Sequence, residues 1–154
     1  MISVHIQRLR RAALPACAAL LAATALSACT SDPLIAAAGE RDAVKLPSGV
    51  VYKSGREGWG PTPRYDDRVR VKYRGYFPDG RDFDRSPQEG AELNVDRVIV
   101  CWTEVLQRMR VGGQATITCP AKTAYGEKGA GNGTIPADAV LRFDIELLAI
   151  ATPR

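Results

Sequence analysis

The sequence predicts an α+β domain, a bent antiparallel sheet wrapped around one short α-helix with a pocket between the two. Two observations carry this expectation. Val98 to Met109 has helical spacing, with Trp102, Val105, Leu106 and Met109 at i, i+3, i+4 and i+7 on one apolar face. The other hydrophobic segments alternate with a period of two, as strands with one buried face do. A lone helix among strands must bury its stripe against the sheet, and so it caps the one sizeable core the chain can build. Gly112-Gly113 is the expected helix stop, with Arg108 and Arg110 in the last turn, where cations suit the helix dipole.

At 154 residues there is room for one domain, and residues 1–28 are read as lying outside it. Arg8, Arg10 and Arg11 form a basic start, Leu14 to Ala25 is an Ala/Leu-rich apolar run, and Leu26-Ser27-Ala28 puts small residues before Cys29. That order is a secretory signal peptide and a poor membrane span. The Leu-Ser-Ala-Cys ending resembles the lipobox of bacterial lipoproteins. The resemblance implies cleavage before Cys29 and lipid on its sulfur and new amino group. Thr30 rather than Asp follows, which in lipoproteins goes with sorting to the outer membrane, so the domain is expected on the periplasmic side of the cell envelope. The alternative is ordinary signal cleavage nearby and a soluble periplasmic protein.

Removing the leader's three arginines from the chain's 21 basic residues leaves 18 against 17 acidic, a net charge of +1. Nothing in that balance points to nucleic acid. The single histidine, His5, leaves with the leader. Without histidine the mature chain has no Ser-His-Asp triad, Cys-His pair or His-ligated metal site, and no metal or cofactor is expected. Cys17 also leaves, and Cys29 is assigned to lipid, so Cys101 and Cys119 remain in an oxidising compartment. Their spacing is not a CxxC motif, and zinc lacks further soft ligands. Two readings stand: a disulfide worth about 3 kcal/mol, or two buried free thiols.

Residues 29–45 are small, polar or Ala-rich without a trusted period, and read as a flexible tether; the domain is placed at 46–152. Gly49 to Ser54 reads as a strand between Pro47 and Gly55. Gly55 to Pro63, with three glycines and two prolines, is a loop; its Gly55-Arg56-Glu57-Gly58-Trp59-Gly60 lacks the following helix that a phosphate loop requires. Val69, Val71 and Tyr73 then alternate with Arg68, Arg70, Lys72 and Arg74, a buried face against a solvated cationic one. Pro78-Asp79-Gly80 signals a turn, leading to Phe83 between Asp82 and Asp84. Leu93, Val95 and Val98-Ile99 lead into the helix. Ala115, Ile117 and Cys119 form a further half-buried strand, and Leu141, Phe143, Ile145 and Leu147 the closing one. Between them Pro120 to Pro136 is a glycine-rich excursion of the length usually reserved for function or disorder.

Six motifs in order and register, namely Val71-Lys72-Tyr73-Arg74-Gly75, Asp79-Gly80-Arg81-Asp82-Phe83-Asp84, Val98-Ile99 with Trp102, Ala124-Tyr125-Gly126, Ile135-Pro136 and Leu141-Arg142-Phe143-Asp144, resemble the FKBP-type peptidyl-prolyl isomerases. The resemblance covers roughly Leu46 to Ile150 and implies an antiparallel half-barrel folded over one short helix. It also implies cis/trans rotation of the bond before proline, in proline-containing peptides and unfolded polypeptides, with no cofactor. By matching motifs, Trp102 is the expected pocket floor, and Tyr73, Phe83, Val98 and Phe143 its walls. The Ile99 N–H and the Tyr125 hydroxyl are expected to hold substrate carbonyls, Asp84 to present its carboxylate near the twisted bond, and Ile135 to line the mouth.

Taken singly, these residues have plainer readings. Trp102, Val98, Phe143 and Tyr73 suit a core, and Asp84 a turn or cap carboxylate like Asp66, Asp67 and Asp79. Tyr125, a loop aromatic before Gly126, has the least structural reason to be there. Leu93 and Val95 stay undecided between pocket and core. Two departures from the family stand out: Cys101 replaces the usual glycine before the helix Trp, and Gly129, Gly131 and Gly133 enrich the loop that meets substrate beyond proline. The same pocket would also serve a non-catalytic proline-peptide binding module or holdase chaperone. No added helical arm or second domain is seen in the sequence, which is read as a monomer. The family's macrolide ligands are candidate occupants of the pocket.

Overall fold

A computed structural model of the chain describes residues 32–151; the expected signal peptide (1–28) and the expected lipidation position Cys29 lie outside them. In chain order the elements are α1 (Pro33–Ala38), β1 (Ala43–Lys45), β2 (Val51–Arg56), β3 (Arg68–Tyr76), β4 (Asp82–Arg85), β5 (Ala91–Asn94), α2 (Val100–Leu106), β6 (Gln114–Cys119) and β7 (Leu141–Ile150). The seven strands form one sheet in the order β1-β2-β6-β7-β3-β4, with β5 also on β3 and every pairing antiparallel. The sheet stays open and curls around α2 as a half-barrel. β3 holds β7 along one side; its other side is shared, residues 68–71 by β5 and residues 74–76 by β4. The break falls at Tyr73, whose N–H donates to Ser86 Oγ at 3.0 Å and whose carbonyl accepts from the Ser86 N–H.

The strand patterns are those the alternation predicts. Along β7, Leu141, Phe143, Ile145 and Leu147 are buried while Arg142, Asp144 and Glu146 are only partly covered. On β3, Val69 and Val71 are fully buried. The opposite face is solvated and ion-paired, with Arg70 and Arg68 on Glu92 at 2.8 and 3.7 Å and Arg74 on Asp82. Trp102, Val105, Leu106 and Met109 join these strands in one core.

Two expectations are corrected. The helix ends at Leu106, not at Gly112-Gly113, so Arg108 and Arg110 lie beyond it. The backbone of 110–113 is recruited elsewhere: Trp59 and Gly60 N–H both donate to the Val111 carbonyl, the Val111 N–H to Pro61, and the Gly112 N–H to Leu147. Those bonds are incompatible with another helical turn. Second, most of the expected tether is structured. Asp32 caps α1 by accepting the Leu34 N–H at 2.8 Å, Pro33 opens the helix and Gly39 closes it. Ala37 is buried, and Glu40 binds Lys53 at 3.0 Å and Arg142 at 2.8 Å. Since Val51 and Lys53 point away from the core-facing Tyr52, α1 sits on the face of the sheet opposite α2. β1 pairs with β2 in the same stretch.

Of the two readings left open for the long excursion 120–136, the structure shows an ordered loop. Short 3-10 turns at 121–123 and 126–128 are followed by a bridge in which Ala130 and Ile135 exchange both backbone hydrogen bonds at 3.0 Å. Gly129 stands at φ 61° where a Cβ would collide with the Ile135 carbonyl, so only glycine fits. Cys101 and Cys119 are joined in a disulfide with Cα atoms 5.9 Å apart, both sides fully buried, which ties the start of α2 to the end of β6. Among the described residues no helix is long and apolar enough to cross a membrane.

Candidate active site

The pocket lies where α2 begins. Thr103 donates its hydroxyl to the Val95 carbonyl at 2.7 Å, and the Val95 N–H is held by the Asp67 carbonyl. These bonds fix the segment 95–99 between β5 and the helix. Ile99 is the helix N-cap residue and accepts from the Trp102 and Thr103 N–H groups. Among the described residues no acceptor meets its own N–H. Trp102 is 4% exposed at the base.

Around it the aromatics meet edge to face, the arrangement their quadrupoles favour. Tyr73 and Phe143 lie 5.2 and 5.3 Å from the Trp102 ring with interplanar angles of 88° and 89°. Phe83 lies 5.6 Å from Phe143 at 88°, and Phe77 backs Phe83 at 5.1 Å. A cavity of about 460 Å³ is enclosed by Tyr73, Phe83, Asp84, Leu93, Arg97, Val98, Ile99, Trp102, Tyr125 and Phe143. Gly75 is what lets Phe83 and Phe143 close over β3: a Cβ there would stand 2.8 Å from Phe83 and 3.1 Å from Phe143.

Asp84 is held at both oxygens. Oδ2 accepts the Tyr73 hydroxyl at 2.8 Å and Oδ1 the Arg85 N–H at 2.8 Å. Burial, and then the bonded Asp84 carboxylate, push the Tyr73 phenol up to about 12; burial and the same charge also raise Tyr125. Both phenols therefore stay protonated donors at neutral pH. Asp84 also serves the turn-like bond to Arg85, so its plainer reading is part of how it is fixed.

Eight of the nine expected catalytic and substrate-binding residues meet at this cavity. Ile135 does not: it is 7% exposed and packed into the core, because its bridge to Ala130 folds the loop tip back onto itself. Leu93 lines the cavity, whereas Val95 is wholly core. Arg97 and the supporting Gly75 were not singled out from sequence. Arg97 directly precedes Val98-Ile99, which is the signal that would have found it.

The site is thus an apolar aromatic box with a fixed carboxylate and unpartnered donors, on a half-barrel over one helix. The family model for FKBP-type peptidyl-prolyl cis-trans isomerase matches residues 60–148. The FkpA isomerase of Aeromonas hydrophila is 44% identical over 125 residues, 79% of this chain and 46% of that protein. The FKBP-type 22 kDa isomerase of Escherichia coli is 44% identical over 105 residues, 67% of this chain and 50% of that protein. Among solved structures, a peptidyl-prolyl cis-trans isomerase from Pseudomonas syringae superposes with a TM-score of 0.73 at 34% identity, covering 78% of this chain and 89% of the other. The chain belongs to the FKBP-type peptidyl-prolyl cis-trans isomerase family. It spans about half the length of the curated relatives it matches.

Proposed function

We propose that this pocket catalyses cis/trans isomerisation of Xaa-Pro bonds in polypeptides folding in the cell envelope. The observation that carries the reading is the Tyr73–Trp102–Phe143–Phe83 box beside the Asp84 carboxylate. The barrier to rotation is about 20 kcal/mol because the C–N bond has partial double-bond character. Water stabilises the planar, polar amide more than the twisted one, so a site that strips water and grips the twisted imide lowers the barrier. No proton transfer or covalent intermediate is required.

In this reading the proline ring rests on Trp102 between Tyr73, Phe83, Val98 and Phe143. The Ile99 N–H and the Tyr125 hydroxyl hold carbonyls on either side of the bond, and Asp84 faces the twisting imide. The leader and Cys29 anchor the domain by lipid to the envelope, facing the periplasm at the outer membrane, and the chain acts as a monomer. Supporting the anchor are the basic start, the apolar run and the Leu-Ser-Ala-Cys ending.

Exchange spectroscopy on a Leu-Pro peptide tests the activity. Accelerated exchange at catalytic protein concentrations is the expected result. Peptide binding without acceleration would instead identify a binding module or holdase. Lipid attachment is tested separately, by labelling with palmitate, which Cys29→Ser is expected to abolish.

A further inference from the structure

Of the charged side chains that line the cavity, Asp84 is bonded at both oxygens, while Arg97 has no bonded partner among the described residues. The contrast with the opposite wall is sharp. There Arg74 and Arg85 both close on Asp82, and Arg81 closes on Asp79, so each guanidinium near Phe83 is neutralised by an aspartate. Arg97 is exposed at the rim, in the short turn between β5 and α2 that also carries Val98 and Ile99. Its chain neighbour Asp96 is exposed and does not line the cavity. A peptide seated on Trp102 with a carbonyl at the Ile99 N–H has to run past this guanidinium.

We propose that Arg97 is a specificity-determining residue that favours Xaa-Pro segments bearing a carboxylate side chain close to proline. The proposal rests on the isomerase reading above. An aspartate or glutamate at the position crossing Arg97 gains a charge-assisted hydrogen bond, whereas the same residue on the Asp84 side meets a like charge. The preference is therefore positional: acid favoured on one side of proline, not on the other.

The test measures kcat/KM for peptides in which glutamate or its neutral isostere glutamine is placed in turn at each of the two positions on either side of proline. Wild type, Arg97→Gln and Arg97→Glu are compared at low and high salt. The expected result is one position where wild type favours glutamate by roughly twofold to fivefold, the range set by an exposed ion pair. That ratio falls to about one in Arg97→Gln, inverts in Arg97→Glu and shrinks with salt. Glutamate-to-glutamine ratios that are the same in all three proteins at every position would overturn the proposal while leaving the isomerase reading intact. A wild type that isomerises none of the peptides would overturn both.

Discussion

At the residue scale the site depends on contacts that titration hardly touches. Tyr73 does two jobs, packing edge-on to Trp102 and donating to Asp84. Tyr73→Phe keeps the first and removes the second, so kcat/KM is expected to fall about threefold to tenfold, in line with the roughly 1 kcal/mol net worth of one exposed hydrogen bond. Because Tyr73 and Tyr125 are both shifted upward, the kcat/KM profile is expected to be level between about pH 7 and 9. The raised Tyr73 pKa also carries a stability consequence. The folded state holds that proton more tightly than the unfolded chain, so the contribution is complete below pH 10 and is lost as pH rises toward 12. Alkaline unfolding curves are therefore expected to be steeper in that interval for wild type than for Tyr73→Phe. Gly75→Ala probes the wall from beneath, since its methyl must displace Phe83 or Phe143. A several-fold loss of kcat/KM, with the sheet retained by circular dichroism, is the expected outcome.

At the scale of elements, α1 and α2 are held by different means. α2 is stapled through Cys101–Cys119, and Cys101→Ala/Cys119→Ala is expected to lose about 3 kcal/mol in denaturant unfolding. α1 depends on Glu40, whose hydrogen bond to Lys53, helped by Arg142, lowers its pKa. That contribution is present above the ordinary glutamate value and fades as pH falls below it. Acid unfolding of Glu40→Gln is thus expected to converge with wild type at low pH while lying about 1 kcal/mol lower near neutrality. The two helices also differ in how they can be read from sequence. α2 was legible because Trp102, Val105 and Leu106 repeat at helical spacing, although its end was not, since the bonds that stop it come from Trp59, Gly60 and Leu147, remote in sequence. α1 was missed because six residues show less than two turns of any period, and the one residue it buries is the small Ala37, while the larger Ile35 stays exposed. β1, three residues long, leaves no alternation to detect. The strands β3 and β7 were plain, each having one buried and one wet face.

At the scale of the whole molecule, one sheet curls over α2 and leaves an aromatic-lined opening at that helix's N-terminus. The residues that meet there come from β3, β4, β5, the turn before α2, α2 itself, the 125 loop and β7. No local pattern brings such distant positions together, so periodicity alone would have left Trp102 and Phe143 as core; the order of six motifs supplied what periodicity lacked. Ile135 shows the limit of that transfer, because a loop rich in glycine can fold its apolar residue inward while keeping the motif. In the proposed function it is this box, and not some other surface, that turns over Xaa-Pro bonds. The most direct measurement is kcat/KM for a Leu-Pro peptide with wild type, Phe83→Ala and Asp84→Leu, each shown to be folded by its unfolding transition. Removing one aromatic wall or the carboxylate is expected to cost roughly tenfold or more, the equivalent of about 1.4 kcal/mol in the barrier. Wild-type turnover that survives unchanged in both variants would contradict the assignment of the site.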